Sequence, residues 1–253
     1  MQLKDIAAVI TGGSSGLGAA TAELLASQGA RVTLFDMNEE AGQAQAARIG
    51  GLFKKVNVTD AASVAEALDA AQEKHGVARV LVNCAGIVIG ARTVGREATP
   101  HPLDQFRKVI EVNLIGSFNC IAQFAARLSR AEPLGEERGV IVNTASVAAF
   151  DGQIGQAAYA ASKGGVVGMT LPIARDLAQS GIRVVTIAPG IFWTPMMAGM
   201  PKDVQDSLGK QVPFPSRLGK PEEYAQMVQS IVNNPMLNGE TIRLDGAIRM
   251  PPR

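Results

Sequence analysis

The sequence contains few of the residues that build metal centres and disulfide frameworks. It has two cysteines and two histidines in 253 residues. Cys84 and Cys120 lie in apolar segments, and His75 and His101 are far apart, without the spacing of metal ligands. We therefore expect a chain that holds no metal and belongs in a reducing compartment.

The sequence also lacks a block of charge of one sign. Lys and Arg total 24 and Asp and Glu total 23, so the net charge is +1. A surface that binds a phosphate backbone needs clustered cations, so no nucleic acid partner is expected. No signal peptide or apolar run of about 18 residues stands out, and we expect a cytoplasmic protein without a membrane partner.

Short apolar stretches alternate with helical patterns along the chain. The apolar stretches predict strands at 6–11, 31–36, 52–58, 79–83, 139–145, 182–188 and 240–244. The main helical patterns cover 39–48, 61–74, 103–128 and 222–232. This alternation predicts an α/β fold with one Rossmann-like, doubly wound, seven-stranded parallel sheet. Right-handed crossovers give the strand order 3-2-1-4-5-6-7.

The first predicted strand runs into a glycine-rich turn, GGSSGLG. Gly12, Gly16 and Gly18 follow a G-x3-G-x-G spacing, which differs from the common G-x-G-x-x-G. Glycine allows backbone N–H groups to approach a pyrophosphate at a helix N-terminus. Such a turn also occurs without a nucleotide, so it indicates a phosphate site only together with other features.

The second predicted strand ends at Asp36. In a dinucleotide fold, this carboxylate accepts hydrogen bonds from the adenosine ribose hydroxyls and repels a 2′-phosphate. The neighbouring Ser14, Ser15, Met37 and Asn38 offer no cation to that phosphate. The pattern favours NAD over NADP, and the alternative is a solvated carboxylate at a strand end.

Polar residues and glycines stand at or just beyond the carboxyl ends of successive predicted strands. They are Gly12, Asp36, Asn57, Asn83, Ser146 and the Pro189-Gly190 turn. Parallel sheets bind ligands at that edge. The pattern predicts a cofactor cleft, although polar residues occur at any strand end.

Ser146, Tyr159 and Lys163 combine a hydroxyl, a phenol and an ammonium in one short segment. Tyr159 and Lys163 are four residues apart in a helical run, so both project from one face. A nearby lysine lowers the pKa of a phenol, and a decrease of about three units takes about 4 kcal/mol. The trio suits proton transfer at an alcohol oxygen; an ordinary surface helix is the alternative.

Several motifs along the whole chain resemble, in identity and order, those of the short-chain dehydrogenase/reductase family. They are TGGSSGLG, NCAG, VNLIG, Ser146, YAASK and PG. The resemblance implies that Tyr159 is the catalytic base and that Lys163 lowers its pKa and binds the nicotinamide ribose. It also implies that Ser146 orients the substrate oxygen and that Asn113 holds a water in the proton relay.

The same resemblance implies an NAD site within one dinucleotide-binding catalytic domain, residues 1–253, that includes a substrate loop at about 191–216. The positions that match the cofactor-binding pattern are Gly12, Ser14, Ser15, Gly16, Leu17, Gly18, Asp36, Asn57, Val58, Asn83, Ala85, Gly86, Tyr159, Lys163, Pro189, Gly190, Ile191 and Thr194.

Longer stretches, such as VPFPSRLG and NGETIRLDGAIRM, resemble the type II short-chain 3-hydroxyacyl-CoA dehydrogenases. This implies NAD-dependent oxidation of 3-hydroxyacyl-CoA by a homotetramer, and the small-residue face of the Tyr159 helix suits close packing. The positions expected to contact substrate are Ser146, Gln153, Tyr159 and Trp193. Alternatives are a dehydrogenase of another hydrophobic alcohol or hydroxysteroid, a 3-oxoacyl-carrier-protein reductase, and a non-catalytic NAD-binding protein. Asp36 counts against the reductase, which normally uses NADPH.

Three residues depart from the usual pattern. Asn57 replaces an aspartate that binds the adenine amino group, Cys84 replaces the second Asn of NNAG, and Trp193 replaces a small residue. Trp193 either narrows the substrate pocket or packs elsewhere.

Two further groups of residues bear on the substrate. An apolar lid is predicted from Met196, Met197, Met200, Pro201 and Phe214. Arg92 and Arg96 either meet CoA phosphates or are simply solvated.

Overall fold

A parallel sheet of seven strands forms the centre of the computed structural model, which describes residues 1–198 and 201–252. The strands are β1 (Ala7–Thr11), β2 (Arg31–Asp36), β3 (Leu52–Lys55), β4 (Ala78–Asn83), β5 (Gly139–Thr144), β6 (Ile182–Pro189) and β7 (Thr241–Leu244). Their order, β3-β2-β1-β4-β5-β6-β7, confirms the predicted topology.

The strand order reverses between β1 and β4. β1 pairs in parallel with β2 on one side and with β4 on the other, so Thr11 lies between Phe35 and Asn83. In doubly wound sheets, the crevice beyond this reversal is where ligands bind. The fold therefore places a cleft beyond the carboxyl ends of β1 and β4.

Helices cover both faces of the sheet. They are α1 (Gly16–Ser27), α2 (Glu39–Ile49), α3 (Ala61–His75), α4 (Leu103–Ile110), α5 (Gly116–Leu128), α6 (Ala157–Leu177), α7 (Pro195–Ala198), α8 (Lys202–Lys210) and α9 (Pro221–Asn233). On one face Leu25 of α1 and Val228 of α9 are buried in one cluster. On the other, Leu68 of α3 and Phe124 of α5 are buried in a second cluster. Because both faces are covered, the central strands are almost wholly apolar.

β3 is shorter than the predicted strand at 52–58. It ends at Lys55, and the side-chain oxygen of Asn57 accepts hydrogen bonds from the backbone N–H and the hydroxyl of Thr59. Such an Asx turn competes with strand pairing. The chain therefore leaves the sheet before Asn57.

The predicted continuous helix at 103–128 is interrupted. α4 and α5 are joined by a π-helical turn, Glu111–Ile115, which contains the predicted site residue Asn113. A π turn inserts one extra residue into a helix and is often found at functional sites. The spacing of apolar residues across this turn stays close to that of an α-helix. The sequence pattern therefore predicted one helix and did not indicate the π turn.

This interrupted helix is also the one described stretch, Leu103–Leu128, that is long and apolar enough to cross a membrane. The sequence inspection for apolar runs did not single it out. Cys120, Ile121 and Phe124 on it are buried in the core against the sheet. Length and composition alone are therefore weak support for a membrane span.

The region after β6 contains short helices where the sequence predicts only a loop. α7 and α8 lie within the expected substrate loop at 191–216. Met200 and the side chain of Met196, both assigned to the apolar lid, lie outside the described residues. Met197 is buried, whereas Phe214 is exposed.

Candidate active site

Ser146, Tyr159 and Lys163 meet at the carboxyl end of β5. Ser146 follows the strand by two residues, and its Oγ accepts a hydrogen bond from the N–H of Ala148 at 3.1 Å. Tyr159 and Lys163 lie near the start of α6, one turn apart. The Ser146 hydroxyl is close enough to the Tyr159 phenol to lower its pKa. The fold therefore brings together the three groups singled out in the sequence.

Lys163 is buried and held by the backbone of β5. Its Nζ donates a hydrogen bond to the carbonyl oxygen of Thr144 at 2.7 Å and lies 5.8 Å from the ring centre of Tyr159. Burial lowers the pKa of the Lys163 ammonium to about 8. The group therefore stays cationic at neutral pH but loses its proton more easily than an exposed lysine.

The effect of Lys163 on the pKa of Tyr159 stays a prediction. Burial raises the pKa of the Tyr159 phenol, and the neighbouring Ser146 hydroxyl only partly offsets this effect. Burial in an apolar cavity disfavours the phenolate, and the ammonium is directed at Thr144.

Asn113 is fully buried in the π turn. Its Oδ1 accepts a hydrogen bond from the N–H of Ile87 at 2.8 Å, and its Nδ2 donates to Ile87 O at 2.9 Å and to Ser162 Oγ at 3.0 Å. A Cβ on Gly86 would lie 3.2 Å from this Oδ1 and 3.5 Å from Nζ of Lys163. Asn113 therefore ties the segment after β4 to α6, and its role in a water relay stays a prediction.

A cleft with a volume of about 540 Å³ extends from the glycine-rich turn to the segment after β4. Residues predicted to bind cofactor line it: Gly12, Ser14, Ser15, Gly16, Leu17, Gly18, Asp36, Asn57, Val58, Ala85, Gly86 and Thr194. Among the described residues that line this cleft, none is lysine or arginine.

The glycines of the turn allow a close approach of backbone segments. A Cβ on Gly18 would lie 2.2 Å from the carbonyl oxygen of Gly12, and one on Gly12 would lie 2.8 Å from the N of Ala85. Gly12 and Gly16 also have positive φ angles of 65° and 54°. Only glycine fits these positions, and the turn opens into the N-terminus of α1, as a pyrophosphate site requires.

Asp36 is fixed beside this turn. One carboxylate oxygen accepts hydrogen bonds from the N–H and the hydroxyl of Ser14 at 3.1 and 2.6 Å, and the other accepts from the N–H of Asn38 at 3.0 Å. Lys55 is its register neighbour in β3 but pairs with Glu39 at 3.5 Å. The acidic group therefore faces the cleft, whose described lining residues include no lysine or arginine beside it.

Asn83 departs from the expected cofactor contacts. It is buried at the end of β4, where its Nδ2 donates to Oδ1 of Asn143 in β5 at 3.0 Å, and it is not among the residues that line the cleft. Its place at a strand end gave no indication that its side chain lies within the sheet. Asn83 positions the following turn, whose Cys84 and Ala85 do line the cleft.

A second cavity, of about 330 Å³, contains the trio and adjoins the cleft. Pro189, Gly190 and Ile191 also line it, as predicted cofactor positions. Leu17, Cys84, Gly86, Ile87 and Thr194 line both spaces. A ligand in the cleft can therefore extend to Ser146, Tyr159 and Lys163.

The predicted substrate residue Gln153 does not line this catalytic cavity. Its Nε2 donates to the carbonyl oxygen of Pro251 at 3.0 Å, and it lines a neighbouring cavity of about 430 Å³ together with Arg92. Gln156, which the sequence inspection missed, lines both cavities. Arg96 is exposed in the insertion after β4.

Trp193 is also not among the residues that line the catalytic cavity. It is 45% exposed, while Phe192 is buried and, like Thr194, lines the cavity. The N–H of Trp193 donates to Gly219 O at 2.8 Å in a short parallel bridge. Successive side chains of an extended segment lie on opposite sides. The side chain of Trp193 therefore points away from the catalytic cavity that Phe192 and Thr194 line.

Met250 also lines the catalytic cavity, although the sequence did not predict it there. It comes from the segment after β7 and is the last residue of the stretch NGETIRLDGAIRM, to which the resemblance assigned no role in the site. Its position depends on tertiary contacts, which no local pattern reveals.

Comparison with known proteins agrees with this site. A family model described as short chain dehydrogenase matches residues 6–205. The chain is 56% identical to the Homo sapiens protein named 3-hydroxyacyl-CoA dehydrogenase type-2, with 99% of this chain and 97% of that protein covered. For the Drosophila melanogaster protein of the same name, the identity is 52% and the coverage is 99% and 100%.

A solved structure gives the same result. The crystal structure of 3-hydroxyacyl-CoA dehydrogenase type-2 from Mycobacterium avium matches with a TM-score of 0.95 and 41% identity over 98% of each chain. The fold, the placement of the trio and these matches together lead to one conclusion: the chain is an oxidoreductase that belongs to the short-chain dehydrogenase family.

Proposed function

We propose that the protein is an NAD-dependent dehydrogenase that acts on the 3-hydroxyl carbon of 3-hydroxyacyl-CoA thioesters. The observation that carries this proposal is the meeting of Ser146, Tyr159 and Lys163 in a cavity that adjoins the glycine-lined cleft. The names of the relatives support the choice of an acyl-CoA substrate.

The residues of the trio divide the proton transfer between them. A nicotinamide ring, when bound, supplies the carbon that exchanges hydride with the substrate. The Ser146 hydroxyl holds the substrate oxygen, and Tyr159 takes its proton during oxidation or returns it during reduction. Lys163, anchored on Thr144 O, places a positive charge near the phenol. That charge favours the phenolate against the effect of burial.

The proposed preference for NAD rests on Asp36. Its carboxylate lines the cleft, where it is placed to accept ribose hydroxyls and to repel a 2′-phosphate. Ser14, which holds this carboxylate, is uncharged. NADPH would therefore bring a phosphate dianion to a site with a negative charge.

The decisive test is the initial rate of NADH oxidation with acetoacetyl-CoA, run beside NADPH and beside a keto-steroid. We expect fast turnover with NADH and acetoacetyl-CoA only. Tyr159→Phe should reduce turnover by about 10²–10⁴-fold, because it removes the proton donor, while NADH binding followed by fluorescence is retained. A Tyr159→Phe variant with most of its activity would refute the assigned base.

A second candidate function is oxidation of another hydrophobic secondary alcohol or a hydroxysteroid. The apolar side chains of Val147, Phe192, Met197 and Met250 line the catalytic cavity and would accept such a substrate. Turnover of the keto-steroid without turnover of acetoacetyl-CoA would favour this candidate and leave the mechanism unchanged.

We also propose that the protein is a cytoplasmic homotetramer with neither nucleic acid nor membrane as a partner. Both cysteines are free thiols, which suits a reducing compartment. Exposed apolar side chains, including Ile115 at the end of the π turn and Phe118 near the start of α5, support self-association.

A further inference from the structure

The segment after β7 returns to the catalytic cavity. It turns at Gly246 and Ala247, which have positive φ angles of 59° and 68°. Ile248 is then buried, and Met250 lines the same cavity as Ser146. One wall of the catalytic cavity therefore comes from a segment distant in sequence from the trio.

Arg243 fixes this segment to the loop between β5 and α6. Its Nη2 donates to Asp151 Oδ2 at 2.6 Å and to Ile248 O at 3.0 Å, and its Nε donates to Asp245 Oδ2 at 2.7 Å. The guanidinium also lies 5.2 Å from the ring centre of Phe150. These ion pairs are largely shielded from solvent, so the two segments are held in one arrangement.

Backbone contacts extend the attachment beyond Arg243. The backbone of Met250 is close enough to Asp151 to contribute to the lowered pKa of that carboxyl. Gln153 Nε2 donates to Pro251 O at 3.0 Å, and the N–H of Ile154 donates to Pro252 O at 3.0 Å. The segment is thus bound along the loop that separates Ser146 from Tyr159, with Met250 in the middle of the attachment.

We propose that Met250 is a specificity-determining residue that limits the length and bulk of the acyl group accepted beside Ser146 and Tyr159. The contacts of Arg243 with Asp151 hold it in place. Methionine is unbranched and flexible, so it can adapt to a linear chain while still occupying space. The part of this inference that concerns acyl groups rests on the proposed function. The place of Met250 in the wall of the catalytic cavity does not depend on which substrate the oxidoreductase uses.

The test is a series of 3-oxoacyl-CoA substrates of increasing chain length, assayed with NADH. Met250→Ala should raise kcat/KM for the longer substrates relative to acetoacetyl-CoA by about 10-fold or more, because a few methylene groups of space change discrimination by that amount. Met250→Phe should shift the ratio in the opposite direction, and Met250→Leu should leave it near the wild-type value. Met236→Ala is the matched control, since that methionine is 90% exposed.

The attachment is tested with Asp151→Asn, which keeps the shape of the side chain and removes its charge. We expect KM for the longer substrates to change with kcat nearly constant, and the chain-length ratio to move toward that of Met250→Ala. An unchanged ratio in Asp151→Asn would overturn the positioning role of the ion pair.

Identical chain-length profiles for wild type, Met250→Ala and Met250→Phe would overturn the inference for Met250. Should Met250→Ala fail to fold, as judged by loss of a cooperative melting transition, the shifted ratio expected for Met250→Phe and the wild-type ratio expected for Met250→Leu decide. The proposed function is judged separately, from wild-type turnover of acetoacetyl-CoA. Should wild type reduce only keto-steroids, the same variants are compared on steroids of different bulk, and an unchanged preference again overturns the inference.

Discussion

Lys163 is a buried cation with few compensating contacts. Its Nζ donates to the carbonyl oxygen of Thr144, and burial lowers its pKa from 10.5 to about 8. A group that binds its proton less tightly in the folded than in the unfolded chain destabilises the fold while it is charged. The shift corresponds to about 3 kcal/mol, so the site keeps this charge at a cost in stability.

Lys163→Met should therefore abolish activity but stabilise the fold at pH 7. We expect a net increase in the free energy of unfolding of about 1–3 kcal/mol, with the lost hydrogen bond to Thr144 O included. Between pH 8 and 10.5 the unfolded wild-type chain binds more protons than the folded one. The stability of wild type should rise across this window relative to the variant. Urea denaturation at pH 7 and pH 10 measures both effects, and a variant less stable than wild type at pH 7 would contradict them.

At the scale of elements, the π turn Glu111–Ile115 organises the site from outside the sheet. It aims the amide of Asn113 at both backbone groups of Ile87 and at Ser162 of α6. Three segments that are far apart in sequence are joined by one side chain. Since the segment after β4 lines both cavities, this connection sets the shape of the cleft.

Asn113→Leu should lower the free energy of unfolding by about 2–4 kcal/mol, because it leaves the buried N–H and C=O of Ile87 unpaired. Asn119→Leu is the matched control, since the side chain of Asn119 in α5 donates a hydrogen bond to Val58 O at 2.8 Å. We expect a cost of about 1 kcal/mol for the control. Equal losses in chemical denaturation of the two variants would argue against the joining role of Asn113.

The sequence predicted the elements better than their irregularities. Strand order follows from the alternation of apolar stretches and helices, and that order places Asp36 and Ser146 at one edge of the sheet. The end of β3 and the π turn depend on side-chain hydrogen bonds of Asn57 and on packing around Asn113. Such local competition leaves no periodic signal, so neither could be predicted from the spacing of apolar residues.

At the scale of the whole molecule, the site is formed by both ends of the chain. Gly12 lies in the first turn after β1 and Met250 follows β7, yet both line the connected spaces. Motif spacing was sufficient to find Tyr159 and Lys163. Met250 was missed because nothing in its local sequence indicates that ion pairs of Arg243 return it to the cavity.

Assembly should depend on the small-residue face of α6. Ala161 and Gly168 are exposed on this helix, and a Cβ added at Gly164 or Gly168 would meet no atom within 4 Å. Glycine destabilises a helix by about 1 kcal/mol relative to alanine. Where a Cβ would meet only open space, glycine therefore has no advantage over alanine in an isolated chain. The same residues would allow a second helix to approach closely, in agreement with the proposed homotetramer.

Gly168→Leu should therefore leave the fold of each chain intact, since the added side chain enters open space and leucine favours the helix. It should block close approach of a second subunit and convert the proposed homotetramer to smaller species in sedimentation velocity. Gly90→Leu is the control, because Gly90 also faces open space but lies outside α6. A tetramer that persists in Gly168→Leu would place the subunit contacts on another face, whereas a smaller species with an unchanged melting temperature would assign them to α6.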